Sequence, residues 1–338
     1  MTKKKNSSTY QPSINSKDVA KLANVSQSTV SLVLSGKSKG RVSEATRLRV
    51  LAVVEDLNYQ PNVSAQMLRN GSSTNIAFVV PDLQQPYFGK VIYAAEIAAA
   101  KSGYSVILLD SIANDEWCDK LISLFQSKVI SGCIIYACSD EFTLKLASYR
   151  KQIVYIEPDN EDNIDIELNI TETTNKIIEY IQQSDRYRIG YFRAEFPRRH
   201  FLRRHRIFES KFNALEHQNK TLHLEYSTFS VEEATYRAEI LLQTQPNLVI
   251  CDDDLLAGAI YRAARKHNIE IPQDIAVIGF NDTDLCHYLY PELSTVQIPA
   301  EYIGALAIKM LIDRANDIQV TEQKELIELI YVPRNSTR

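Results

Sequence analysis

The stretch Gln27-Ser28-Thr29-Val30-Ser31-Leu32-Val33-Leu34 carries side chains suited to reading a nucleic acid. At about 100° per residue on a helix, Val30, Val33 and Leu34 share one face. Ser28, Ser31, Leu32 and Ser35 fall opposite, with Gln27 and Thr29 in the first turn. An outward amide and hydroxyls suit hydrogen bonds to base edges or phosphates in a major groove. A second cluster lies far downstream, where residues 197–206 hold Arg198, Arg199, Arg203, Arg204 and Arg206 in an otherwise acidic region. Guanidinium forks at that density predict a clamp for an anionic ligand, with Arg206 a candidate contact. His200 and His205 stand between these arginines, a hostile setting for a cation, so no metal is expected. No Gly-x-Ser-x-Gly, His-Glu-x-x-His, Walker loop or Gly-x-Gly-x-x-Gly occurs. Neither an enzyme nor a cofactor is therefore expected.

Positioning these groups falls to two regions of opposite charge. Residues 1–70 hold 11 Lys/Arg against 4 Asp/Glu, and the remainder 27 against 38. A basic head on an acidic body predicts that the head meets a polyanion. The 338 residues are 45% apolar and 24% charged, ordinary globular values. No apolar run approaches the ~18 residues that span a bilayer, and no apolar core follows the three amino-terminal lysines. Cys118, Cys133, Cys138, Cys251 and Cys286 include no Cys-x-x-Cys pair, which fits reduced thiols and a cytoplasmic chain without membrane contact.

Residues 1–13 read as a disordered arm. Three helices follow within 14–59. The first, 17–23, has Asn15 as N-cap and Asp18 at capping-box spacing. A tight turn at Ala23-Asn24-Val25 leads to the second, capped by Ser26. The third is capped by Ser43 and buries Val50, Val54 and Leu57. Two short helices joined by such a turn describe a helix-turn-helix DNA-binding domain. A linker at 60–73 contains a short helix, 63–69, between Pro61 and Gly71. At roughly 1–2 kcal/mol of ordering entropy per residue, so short a helix forms only when two copies pack together on DNA.

Beyond residue 75 the pattern becomes α/β. Apolar runs at 76–80, 106–109, 133–136, 153–156, 189–192, 248–251 and 276–280 alternate with helical patterns at 87–101, 117–126, 142–149, 176–182, 231–242 and 255–267. Continuously apolar strands joined by helices predict parallel sheet covered on both faces. The acidic loop 157–167 interrupts the series, so two lobes are expected, with ligands at the carboxyl ends of the strands.

The sequence resembles the lactose-repressor family of bacterial transcription regulators. The resemblance is carried by Asp18-Val19-Ala20-Lys21-Leu22-Ala23-Asn24-Val25-Ser26, Ser28-Thr29-Val30-Ser31 and Val42-Ser43-Glu44-Ala45-Thr46-Arg47. It continues through Leu57-Asn58-Tyr59-Gln60-Pro61-Asn62, Ala65-Gln66-Met67-Leu68-Arg69, Val80-Pro81-Asp82 and Gln85-Pro86-Tyr87-Phe88. In the last part of the chain it is carried by Ile271-Pro272-Gln273-Asp274, Val277-Ile278-Gly279-Phe280 and Leu293-Ser294-Thr295-Val296. It covers nearly all of residues 14–338.

The resemblance implies that Gln27, Ser28 and Leu32 read bases. Leu32 stands where relatives often carry Arg; it can touch a thymine methyl but cannot bond guanine. In the linker, beside Asn62, it implies that Leu68 wedges between central base pairs with Ala65 and Arg69 next to it. The body is implied to be a periplasmic-type core, lobe one spanning about 74–170 and 300–325, lobe two about 171–299 and 326–338. Tyr87 and Phe88 would line the cleft from lobe one, with Glu157 accepting hydroxyl hydrogen bonds. Asp252 and Asn281 would close from lobe two. Asp252-Asp253 stands where relatives show Asn-Asp, and Asn281-Asp282 where they show Asp-Asp or Asp-Asn, an apparent exchange of amide and carboxylate. Ile207 takes the position of a family Arg. The helical stretch 300–314 resembles a dimer-flanking element. The expected protein is a homodimeric regulator, by analogy a repressor, with double-stranded operator DNA and a sugar or phosphorylated sugar as partners. A solute-binding protein and a sugar-processing enzyme fused to a DNA-binding head are the alternatives.

Overall fold

The computed structural model describes residues 14–34, 36, 38–59, 73–112, 116–196, 198–316 and 324–338. The expected arm, Ser35 and the linker residues Asn62, Ala65, Leu68 and Arg69 lie outside them. The chain divides into two units at Ser73 and Thr74.

The first unit contains helices α1 (Ser16–Leu22), α2 (Gln27–Leu34) and α3 (Glu44–Asp56). Asn15 accepts from the Lys17 amide at 2.8 Å, and Asp18 accepts from the Asn15 amide at 2.9 Å, closing the capping box. Asn24 adopts φ 50° in the turn before α2, a left-handed conformation that Asn tolerates. The Ser26 hydroxyl accepts from the Thr29 amide at 3.2 Å, and Ser43 from Thr46 at 3.3 Å. Val19, Ala20, Ala23, Val30, Val33 and Val50 form the small core. Val54 and Leu57 pack on its edge, half-buried rather than enclosed. Arg49 Nε donates to the Ala23 carbonyl at 2.9 Å, tying α3 to the end of α1.

The second unit holds two six-stranded sheets. Lobe one contains β1 (Asn75–Val80), β2 (Ser105–Asp110), β3 (Gly132–Tyr136), β4 (Ile153–Ile156), β5 (Ile166–Asn169) and β11 (Glu325–Glu328). Its order is β11-β5-β4-β3-β1-β2, parallel throughout. Its helices are α4 (Pro86–Lys101), α5 (Trp117–Gln126), α6 (Asp140–Lys145) and α12 (Ala300–Ala315). Lobe two contains β6 (Arg188–Ala194), β7 (Thr221–Ser227), β8 (Leu248–Cys251), β9 (Ala276–Asn281), β10 (Ser294–Gln297) and β12 (Ile330–Val332). Their order is β12-β10-β9-β8-β6-β7, with only β12 antiparallel. Helices α7 (Ile170–Ser184), α8 (Arg199–Asn213), α9 (Val231–Leu242), α10 (Asp254–Lys266) and α11 (Leu285–Tyr288) complete it.

The chain passes between lobes after β5, after β10 and between β11 and β12. The third passage falls later than the expected 325/326 boundary, because β11 extends the first sheet by pairing with β5 through Glu328. The 157–167 segment, expected as an acidic loop, is exposed at Glu161 and Asp162 but enclosed at both ends. Its end is the start of β5, and Glu157 and Glu167 are buried. All five cysteines are buried and unpaired.

Candidate effector cleft

Between the two sheets a cleft holds about 700 Å³ of space unfilled by atoms, part of it open to solvent. Its lining residues sit at carboxyl ends of strands, where the opposed sheets present loops rather than paired backbone. Lobe one contributes Tyr87 and Phe88 from the segment after β1, and Tyr136 from the end of β3. The three rings pack edge to face, with centroids 5.1–6.0 Å apart. The Tyr87 and Tyr136 hydroxyls lie within hydrogen-bond distance at 3.0 Å. Lobe two answers with Phe196, Phe201 and Phe229. Six aromatic side chains thus face one space, a lining suited to an apolar or planar ligand face.

Polar groups come mainly from lobe two. Arg204 is 5% exposed, and its guanidinium carbon lies 3.3 Å from the Phe280 ring centroid. Its Nη1 donates to the Asp252 carbonyl at 2.7 Å and pairs with the Asp252 carboxylate at 3.6 Å. Asp252 also accepts from the Tyr191 hydroxyl at 3.3 Å and the Ala194 amide at 3.2 Å. Its carboxylate is therefore occupied in holding Arg204 and β6. Asp253 caps α10 by accepting from the Leu255 amide at 2.7 Å. Asn281 Nδ2 donates to Asp253 Oδ2 at 2.7 Å, so one departure from the family pattern, Asn281, is held by Asp253, while the other, Asp252, is engaged with Arg204. Burial, then the neighbouring Asp254 charge, push Asp253 up to about 8. Burial and then Arg204, Arg198 and Arg199 hold His200 down to about 3, so it faces the cleft as a neutral imidazole. His200 Nδ1 and Arg204 Nε find no partner within the protein. A ligand that satisfies them recovers part of an otherwise uncompensated desolvation cost.

Tyr87, Phe88, Asp252 and Asn281 lie in the lining of the cleft. Arg206 does not: it lies on the exposed face of α8, while Arg204 and His200, one helical turn apart, face inward. Ile207, at the position of the family arginine, packs half-buried against the core. Glu157 also stays out of the lining. Its Oε1 accepts from the Leu168 amide at 2.6 Å while Oε2 has no partner, and burial raises it to about 7. A carboxyl raised in the fold binds its proton more tightly than in the unfolded chain. Stability contributed here therefore falls as pH rises from about 4.5 to about 7. Glu157→Gln should flatten that dependence and gain about 1–3 kcal/mol at pH 8 but nothing at pH 4, read by urea unfolding.

The arginine run is largely consumed internally. Arg199 pairs with Glu161 and Glu167, Arg203 with Glu167, and Arg198 with Asp159 at 3.9 Å. The anionic clamp expected from charge density alone is met by this chain's own carboxylates.

In the first unit, Gln27 and Ser28 are exposed, and Thr29, Ser31 and Leu32 half-buried. Gln27 Nε2 donates to the Ser16 hydroxyl at 3.1 Å, and the Ser26 hydroxyl lies 2.7 Å from Ser28 and 2.9 Å from Thr29. The first turn of α2 is thereby organised from within. Among the described residues no group suits a metal ion, and no helix is long and apolar enough to cross a membrane.

A helix-turn-helix unit with a two-lobed binding core defines a ligand-responsive DNA-binding regulator. The family model of bacterial regulatory proteins, lacI family, matches residues 16–62, and a periplasmic binding protein-like domain matches 181–337. The HTH-type transcriptional repressor PurR of Yersinia enterocolitica is 30% identical over 328 residues, 93% of each chain. The repressor CytR of Escherichia coli K12 is 27% identical over 334 residues, covering 95% of this chain and 96% of that one. The Lac repressor dimer bound to operator and the anti-inducer ONPF superimposes with a TM-score of 0.86 at 21% identity, covering 96% and 99%. The chain belongs to the lacI family of bacterial regulatory proteins.

Proposed function

We propose that this protein is a sequence-specific repressor whose homodimer grips a roughly palindromic operator, half-sites about one helical turn apart, under control of a small-molecule effector. Effector binding changes lobe closure and so permits or forbids the 63–69 helices on DNA. Basic residues of the head contact phosphates, so affinity falls with salt at about −0.9 per counterion released.

The observation that carries the effector reading is the aromatic cleft at the strand ends, in which Arg204 is already paired with Asp252. With Arg198, Arg199 and Arg203 engaged by lobe one and Arg206 outside the cleft, the cleft suits an uncharged, hydroxyl-bearing ligand with one apolar face, a sugar or sugar derivative. Isothermal titration with neutral and phosphorylated sugars tests this. Tighter binding of neutral members supports the reading; a preference for phosphorylated members contradicts it.

The wedge role of Leu68 has its own test. Leu68→Ala should weaken specific DNA binding by up to several kcal/mol and reduce bending. Unchanged gel-shift affinity and bend angle would remove the assignment.

A further inference from the structure

We propose that Asp159, Glu161 and Glu167 of lobe one form a clasp with Arg199 and Arg203 of lobe two, which positions the cleft-lining face of α8 and holds the lobes closed before any effector binds. The proposal rests on reading the cleft as the effector site.

The first turn of α8 lacks a cap from its own segment: the N-cap Arg198 makes no side-chain capping bond. Instead the Arg199 amide donates across the cleft to Asp159 Oδ1 at 2.8 Å. A carboxylate at a helix amino end also complements the helix dipole. Beside it Arg199 Nη2 donates to Glu161 Oε1 at 2.9 Å and Glu167 Oε1 at 3.2 Å. Arg203 Nη1 reaches Glu167 Oε1 at 3.0 Å and the Leu168 carbonyl at 3.1 Å. Lys324, from lobe one, holds the other Glu167 oxygen, so Glu167 is fixed in place for the arginines. The side chains of Glu167 and Arg199 are 5% and 15% exposed, so solvent screens them less than a surface pair. The lobes also share an ion pair between half-buried Lys90 and exposed Asp284 at 2.9 Å, a contact of small expected weight.

Arg199 and Arg203 are each one residue before the cleft-lining His200 and Arg204. The residues that grip lobe one and those that meet the ligand therefore alternate along one helix, and the clasp fixes the rotation of α8 as well as its distance. These five side chains act on the ligand through α8 and are positioning residues.

Two measurements on the full chain test the clasp without DNA or effector. For the first, spin labels at Lys120→Cys and Asn213→Cys sit on exposed positions of the two lobes, while the native thiols are buried. The parent should show one short interlobe distance. Glu167→Gln combined with Arg199→Gln should raise a longer-distance population about tenfold or more, whereas Arg199→Lys stays near the parent. For the second, the Arg199 amide, at a helix position that ordinarily exchanges freely, should exchange at least about tenfold more slowly in the parent than in Asp159→Ala. An unchanged distance distribution in the double variant, or equal exchange at Arg199, overturns the proposal. Either failure leaves operator binding untouched, and loss of operator specificity would leave both measurements standing.

Discussion

Arg204→Ala should destabilise the core by about 3–5 kcal/mol and remove effector binding. The guanidinium is the cationic partner of Asp252, whose carboxylate is fully enclosed behind it. Removing it leaves a buried charge and takes an aromatic-stacked wall from the cleft. The two losses are separable. Asp252→Asn in the same chain removes the stranded charge, so Arg204→Met with Asp252→Asn should recover much of the stability while the cleft stays unable to bind. Chemical unfolding and isothermal titration read the two halves. Recovery of both, or of neither, would show that Arg204 does not join structure to ligand contact in this way.

The second large effect is expected at Gly304, on the face of α12 that crosses α4. In an open helix Gly→Ala gains about 1 kcal/mol from propensity. Here the added Cβ would lie far inside contact with the Val91 carbonyl, and within 3.0–3.1 Å of the Val91 carbonyl carbon and the Ala95 amide nitrogen. Backbone cannot rotate away as a side chain can, so the helices must separate and vacate packing around Val91, Ala95, Ile303 and Ala307. Gly304→Ala should cost about 3 kcal/mol or more. Gly258→Ala in α10 is the control, since its Cβ meets only one Leu285 methyl at 3.4 Å; it should be neutral or stabilising. Equal melting midpoints for the two variants would contradict this reading of the α4–α12 seam.

What could be read in advance follows the physics of each element. The central strands β1, β3, β4, β8 and β9 are buried on both faces and spell continuous apolar runs, so their positions were legible. The edge strand β2 was also legible at 106–109, but the edge strands β7, β11 and β12 and the interior strand β10 were not. Thr221–Ser227 and Glu325–Glu328 each enclose only one residue and otherwise stay exposed or half-buried, and Ser294–Gln297 hides hydroxyls that hydrogen bonds satisfy. The head was legible because Asn15, Asp18, Ser26 and Ser43 are local capping signals needing no tertiary context.

The cleft divides the same way. Tyr87, Phe88, Asp252 and Asn281 could be placed by motif, while the partner of each arginine could not, since charge density gives sign but not direction. The spacing of Phe201, Arg204, His205, Phe208 and Phe212 marks the buried face of α8, and it is the signal that separates Arg204 from the exposed Arg206. His200 could have been found by the same spacing. The burial of Glu157 had no local signal, because it depends on the amide of Leu168 across the β4–β5 connection.

The central claim is that paired copies of this chain read a defined operator. Selection of bound sequences from random duplex DNA by the purified full chain tests it most directly. Recovery of an inverted repeat with half-sites about one turn apart, and without a required guanine opposite Leu32, is the expected result. Recovered pools without a shared motif, or with a single unrepeated half-site, would contradict it.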